Sequence, residues 1–141
     1  MIDSVVIATD GSKSVERAVT VTLDLAARFE ATVHALYIVD RSEVEAAPGE
    51  IELDLHRALE RDGERALEAI AERSTSEVVT ELREGRPVRE IIAYAREHDI
   101  DVVATGTRGR HGENRLLLGS VAEGIVRTCP VPVLTVRQIG E

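Results

Sequence analysis

Short apolar runs alternate with longer stretches of helical spacing along the whole chain. Val5, Val6, Ile7 and Ala8 form a continuous apolar run that stops at Thr9-Asp10-Gly11-Ser12, the pattern of a buried strand ended by turn and capping residues. Val15, Ala18, Val19, Leu23, Ala26 and Ala27 then recur at helical spacing up to Phe29, with Ser12 or Ser14 as the cap, which predicts a helix over 13–30. Thr32 to Val39, rich in β-branched and aromatic types, predicts a second strand that ends at Asp40. Residues 41–50 hold Ser42, Pro48, Gly49 and several glutamates and read as an exposed polar loop. A second helix follows over 51–73, with Leu55, Leu59, Leu67 and Ile70 on its buried face. Glu77 to Leu82 alternates weakly and gives the faintest strand signal. Gly85 and Pro87 introduce a third helix carrying Ile91, Ile92 and Ala95, which ends near His98. Ile100, Val102, Val103 and Ala104 predict a fourth strand, which runs through Thr105 and Gly106 into a glycine-punctuated loop reaching Leu118. A short helix from Gly119 to about Thr128 comes next. Val131 and Val133 to Val136 close the chain as a fifth strand, and Pro132 within it marks an edge, because proline cannot donate to a ladder.

Strand and helix alternate throughout, which predicts an α/β fold with an open five-stranded parallel sheet and helices on both faces. The first and fourth strands end in polar or glycine-rich loops instead of plain turns. That is expected where strand order reverses, so the predicted order is 3-2-1-4-5, Rossmann-like, with a crevice between strands one and four. A length of 141 residues fits one domain, 1–141.

Charge narrows the partners. Asp and Glu total 26 against 17 Lys and Arg, a formal net charge of -9, which repels nucleic-acid backbones and anionic membrane surfaces alike. Only Phe29, Tyr37 and Tyr94 are aromatic, so base-stacking platforms are scarce and the core is aliphatic. No apolar stretch approaches the ~18 residues that span a bilayer. Lys13 is the sole lysine, and the acid surplus suits a halophilic protein, where carboxylates keep the surface solvated; an ordinary acidic surface is the alternative. Cys129 has no partner for a disulfide within the chain, and the first residues lack the basic region of a signal peptide. A cytoplasmic location is therefore expected.

The chemistry concentrates in Gly106-Thr107-Arg108-Gly109, nine residues, then Gly119-Ser120. Gly106 and Gly109 lack Cβ, so the backbone there can adopt a positive φ and lie close to a ligand. Gly119 and Ser120 open a helix whose first amides have no internal partner and so favour an anion. Ser120 adds a hydroxyl, and Arg108, Arg110 and Arg115 invert the sign of an otherwise acidic chain. A phosphate suits this arrangement. The glycines alone would equally serve a turn, and Ser120 alone an N-cap. Asp10 either faces a ligand in the crevice or only caps the first helix.

The spacing Gly-x2-Gly-x9-Gly-Ser between an apolar strand and a helix closely resembles the nucleotide-binding signature of the universal stress protein family. Asp10-Gly11-Ser12, Leu116-Leu117-Leu118-Gly119-Ser120-Val121-Ala122 and Cys129-Pro130-Val131-Pro132-Val133 also resemble that family, over nearly the whole chain. The resemblance implies a homodimer of single α/β domains that binds ATP where the glycine signature is kept. Carried over, Gly106, Gly109, Gly119 and Ser120 would contact the phosphates, with Arg108 nearby and Val121 close behind. Asp10 would face the nucleotide, and Val39 would lie near the adenine.

His34, His56, His98 and His111 lack metal-ligand spacing, so Mg2+ is expected only through the nucleotide, be it ATP, ADP or AMP. Neither a Gly-Lys-Ser/Thr phosphate loop nor a Gly-x-Gly-x-x-Gly after the first strand is present, and no base is placed for hydrolysis, so no catalytic residue is assigned. The apolar fifth strand, Val131 to Val136, would pair with its own copy to give the dimer, unless Pro132 alone protects that edge. These readings converge on a nucleotide-responsive stress regulator acting on an unidentified protein partner. The alternatives are a slow Mg-dependent ATPase or autophosphorylating protein, with Ser120 or Thr107 as acceptor, and a nucleotide-independent dimeric interaction module.

Overall fold

A computed structural model describes residues 1–108 and 118–139. Five strands, β1 (Ser4–Thr9), β2 (Thr32–Asp40), β3 (Val78–Gly85), β4 (Val102–Gly106) and β5 (Val133–Val136), form one parallel sheet in the order β3-β2-β1-β4-β5. The helices are α1 (Glu16–Phe29), α2 (Arg41–Glu45), α3 (Gly49–Arg73), α4 (Pro87–Glu97) and α5 (Ser120–Thr128), and a 3-10 turn at Lys13–Val15 leads into α1.

The continuous apolar runs of β1, β2 and β4 reflect burial on both faces. Val5, Ile7, Val33, Ala35, Tyr37 and Val39 point into one layer, against Val19 and Ala26 of α1 and Leu59, Leu67 and Ile70 of α3. Val6, Ala8, Leu36 and Val103 point the other way, against Ile91, Tyr94 and Ala95 of α4 and Ile125 of α5. The chain leaves β1 toward β2 and β3, then crosses back to β4 and β5. The carboxyl ends of β1 and β4 are thus the point where direction reverses and a crevice opens.

Three departures from the predicted elements have local causes. Residues 41–50 are not a loop. Asp40 Oδ1 accepts from Ser42 N at 3.0 Å and from Ser42 Oγ at 2.7 Å, which caps α2, and Val44 is buried beneath it. Strand β3 continues to Gly85 because its charged end pairs with Ile38, Val39 and Asp40, and polar residues are tolerated on an edge strand. Pro132 precedes β5 instead of lying within it; its carbonyl accepts from Val103 N at 3.0 Å, and β5 is the edge.

Mid-helix Gly63 has a packing reason. A Cβ there would lie 2.6 Å from the Tyr37 ring and 2.7 Å from Leu82, so glycine is what lets α3 press onto β2 and β3.

Candidate functional site

A cavity of about 310 Å3 occupies the crevice beyond β1 and β4. Its floor and one wall are apolar: Ala8 from β1, Leu36 and Ile38 from β2, Pro87 and Ile91 from α4, Val121 and Ala122 from α5. The rest of the lining is more polar: Thr105 and Gly106 at the end of β4 with Arg108 just beyond it, Gly119 and Ser120 at the start of α5, and Thr9 and Asp10 where β1 ends. Asp40 and Glu43 close the side next to β2.

Thr9 and Asp10 are held by the turn they belong to. Asp10 Oδ1 accepts from Ser12 N at 2.9 Å and Thr9 Oγ1 accepts from Gly11 N at 3.0 Å, while Gly11 takes φ 77°. The β1 exit is therefore a tight turn, and Asp10 both braces it and lines the cavity. Gly106 ends β4 without a positive φ, against expectation. What excludes a side chain there is the β1–α1 connection, since a Cβ would lie 3.0 Å from the Ser14 carbonyl. Gly119 N donates to the Thr107 carbonyl at 2.6 Å, so the end of β4 and the start of α5 are joined directly. Glu123 N donates to the Gly119 carbonyl at 2.9 Å, closing the first turn. The amides of Ser120, Val121 and Ala122 are the ones left without an intrahelical acceptor, and these three residues line the cavity together with Arg108.

Of the residues singled out in the sequence, Asp10, Gly106, Arg108, Gly119, Ser120 and Val121 line this one cavity. Gly109 lies outside the described residues. Val39 does not line it: its side chain is 1% exposed and turns into the layer beneath α3. The period of two along β2 puts Ile38 and Asp40 on the cavity instead. Register also matters, because β1 pairs with β2 only as far as Thr9 opposite Tyr37, so β2 continues past its neighbour from Ile38 to Asp40. Leu36, Ile38, Asp40 and Glu43 were missed as lining residues. The alternation Leu36, Ile38, Asp40 and the capping pattern Asp-x-x-Glu over 40–43 were the signals available.

Behind Asp40 and Glu43 a charged brace joins α2, α3 and β3. His56 of α3 bonds Glu84 through Nε2 and faces Glu60 through Nδ1 at 3.3 Å, while Glu84 also faces Arg41 Nε at 3.8 Å. The hydrogen bond to Glu84, helped by Glu60, holds the His56 imidazole above its ordinary proton affinity. Among the described residues, no group of three or more His, Cys, Asp or Glu is arranged to hold a metal. Among them too, no helix is long and apolar enough to cross a membrane.

The sequence matches the model of the universal stress protein family over residues 1–137. The chain belongs to that family. A universal stress protein of Methanocaldococcus jannaschii is 36% identical over 138 residues, 95% of this chain and 81% of its own length. The solved structure of the universal stress protein UspA from Lactobacillus plantarum is 26% identical, with a TM-score of 0.80 over 96% of this chain and 98% of that one. A universal stress protein from Archaeoglobus fulgidus, solved in complex with dAMP, is 20% identical with a TM-score of 0.67, over 97% of this chain and 100% of that one. At that identity the likeness extends to the fold.

Proposed function

We propose that this universal stress protein binds an adenine nucleotide, ATP, ADP or AMP, in the cavity between β1 and β4. One observation carries the reading: a single cavity is lined both by apolar side chains, Leu36, Ile38 and Ile91 among them, and by Arg108 and the start of α5, whose first amides have no intrahelical acceptor. A base packs on the first and phosphates meet the second. Gly106 and Gly109 let the chain lie close to the phosphates, Gly119 sets the start of α5, and Ser120 and Val121 supply donors. Val39 contributes its main chain at the end of β2, since its side chain is committed to the core. Mg2+ enters with the nucleotide and neutralises phosphate charge that Asp10, Asp40 and Glu43 would otherwise repel.

The nucleotide acts as a signal. Occupancy alters the segment between β4 and α5, and with it a surface read by a protein partner. Two copies pair through the β5 edge around Val131 to Val136, which covers an otherwise open row of backbone groups. The cytoplasm is the setting, and the acid surplus adapts the protein to high salt.

A thermal unfolding scan with and without Mg-ATP tests the reading, on protein first shown by denaturing extraction to hold no nucleotide. Ligand at about 100 times its dissociation constant stabilises by ~2.7 kcal/mol, roughly 5 to 11 °C for a chain of this size. That shift is expected in the wild type and is lost in Arg108→Glu, which reverses charge at the phosphate end. Equal stability with and without nucleotide would instead support the dimeric interaction module.

A further inference from the structure

Helix α4 segregates its charges. Both of its carboxylates, Glu90 and Glu97, face Arg83 of β3, Glu97 at 2.8 and 3.1 Å and Glu90 at 3.7 Å. The other charged residues at this helix, Arg86, Arg89 and Arg96, line a shallow groove with Val88, Ile92 and Ala93. All three arginines are exposed, and among the described residues none of their side chains has a hydrogen bond or an ion pair. Val88 and Ile92 rest on the core layer beneath and are only half-buried. In a chain of net charge -9, three unanswered arginines beside aliphatic surface fit an occupant that is acidic and aliphatic.

The chain carries such a surface itself. Glu50 and Asp54, four apart at the start of α3, share the outer side of that helix with Ile51 and Leu53 on either side of them. Ile51 and Leu53 are 50% and 57% exposed, and among the described residues neither carboxylate has a hydrogen bond or an ion pair. The helix dipole accounts for Glu50 in the first turn, but not for two exposed aliphatic side chains next to it. Helix α3 packs on one face of the sheet and α4 on the other, so patch and groove do not meet within one chain.

We infer that the acidic start of α3 in one copy docks in the basic groove of α4 in a second copy. Ile51 and Leu53 cover Val88 and Ile92, while Glu50 and Asp54 answer the arginines. Apolar contact holds the pair and the charges fix which surfaces meet. Patches of this size fall short of a permanent interface, so the contact forms as concentration rises. It shares no residue with the cavity or with β5, and it adds to pairing through that edge.

Sedimentation velocity of the full chain over a range of concentrations tests it, with two charge-reversed variants: Arg89→Glu/Arg96→Glu in the groove and Glu50→Arg/Asp54→Arg on α3. The wild type should form a larger species as concentration rises. Each variant alone should associate about tenfold or more weakly, because like charges then face each other. An equal mixture of the two should recover the association, since the groove of each then meets a patch of opposite sign on the other. Thermal unfolding of both variants should match the wild type, all four positions being exposed. A wild type that gains no mass with concentration overturns the inference, as do variants that associate as the wild type does. Loss in the groove variant alone also overturns it and leaves the groove to an acidic segment of a different protein. A mixture that fails to recover overturns it too.

Discussion

The Tyr94 hydroxyl lies 2.6 Å from Nδ1 of His34, and both side chains are buried where α4 crosses β2. Burial, with the nearby His98 charge adding to it and Glu81 opposing, lowers the proton affinity of His34; burial above all raises that of Tyr94. Both groups therefore stay neutral and satisfy each other. The Tyr94 ring also stacks on His98, with centroids 4.0 Å apart, and Arg83 lies 4.9 Å from its centre, contacts that a phenylalanine would keep.

Removing one partner strands the other. His34→Leu should cost about 1 to 3 kcal/mol by leaving a buried hydroxyl without a partner, and Tyr94→Phe in that background should recover part of it. Denaturant unfolding of the two single variants and the double closes the cycle. Additivity within about 0.3 kcal/mol would mean that the pair contributes nothing.

The two buried or braced histidines act in opposite directions on acidification. His34 has a lowered folded value, so its contribution is present above the ordinary 6.5 and is lost as pH falls through the lowered value. His56 has a raised value, so its contribution is full below 6.5 and is lost as pH rises through the raised one. His56→Gln should therefore lower the urea midpoint more at about pH 5.5 than at about pH 9. The same loss at both would show that the brace to Glu84 does not depend on charge.

Helices α1 and α4 end alike. Glu30 takes φ 55° and Asp99 φ 50°, and the next residues return to the helix, Ala31 N to the Ala26 carbonyl at 2.8 Å and Ile100 N to the Ala95 carbonyl at 2.9 Å. Glycine is the residue at ease in that left-handed position. Glu30→Gly should stabilise by roughly 0.5 to 1 kcal/mol and Asp99→Gly by less, because aspartate tolerates the conformation better than glutamate does. Melting curves in one buffer would rank them, and a loss in both would show that glycine's extra unfolded-state entropy dominates.

Gly63→Ala opposes two effects. A helix gains about 1 kcal/mol from alanine, but the added methyl would meet Tyr37 and Leu82 at under 3 Å, and overpacking of a core costs typically 1 to 3 kcal/mol. A net loss of stability is expected. Because Tyr37 also lines the cavity, Mg-ATP affinity should fall with it, while Gly49→Ala, with open space around it, should disturb neither.

The sheet order was readable because β1, β2 and β4 are buried on both faces and so appear as unbroken apolar runs, and because β1 and β4 end in polar loops. The weak signal of β3 has the matching cause: as an edge it carries Glu81, Arg83 and Glu84, whose role is ionic. Helix α2 was hidden by its own cap, since Asp40, Ser42 and Glu43 have the composition of a loop and only Val44 reports burial. Six of the eight residues chosen for the site meet at one cavity, because glycine spacing and helix caps are local properties. Which face of β2 meets the cavity is a matter of register, set by packing against α3 and α4, and that is why Ile38 and Asp40 stand where Val39 was expected.

The bond from the Gly119 amide to the Thr107 carbonyl ties the exit of β4 to the entry of α5. Two elements on the same side of the reversal point therefore keep a common rim, and a displacement of α5 along its axis would be felt at the end of the strand beside β1.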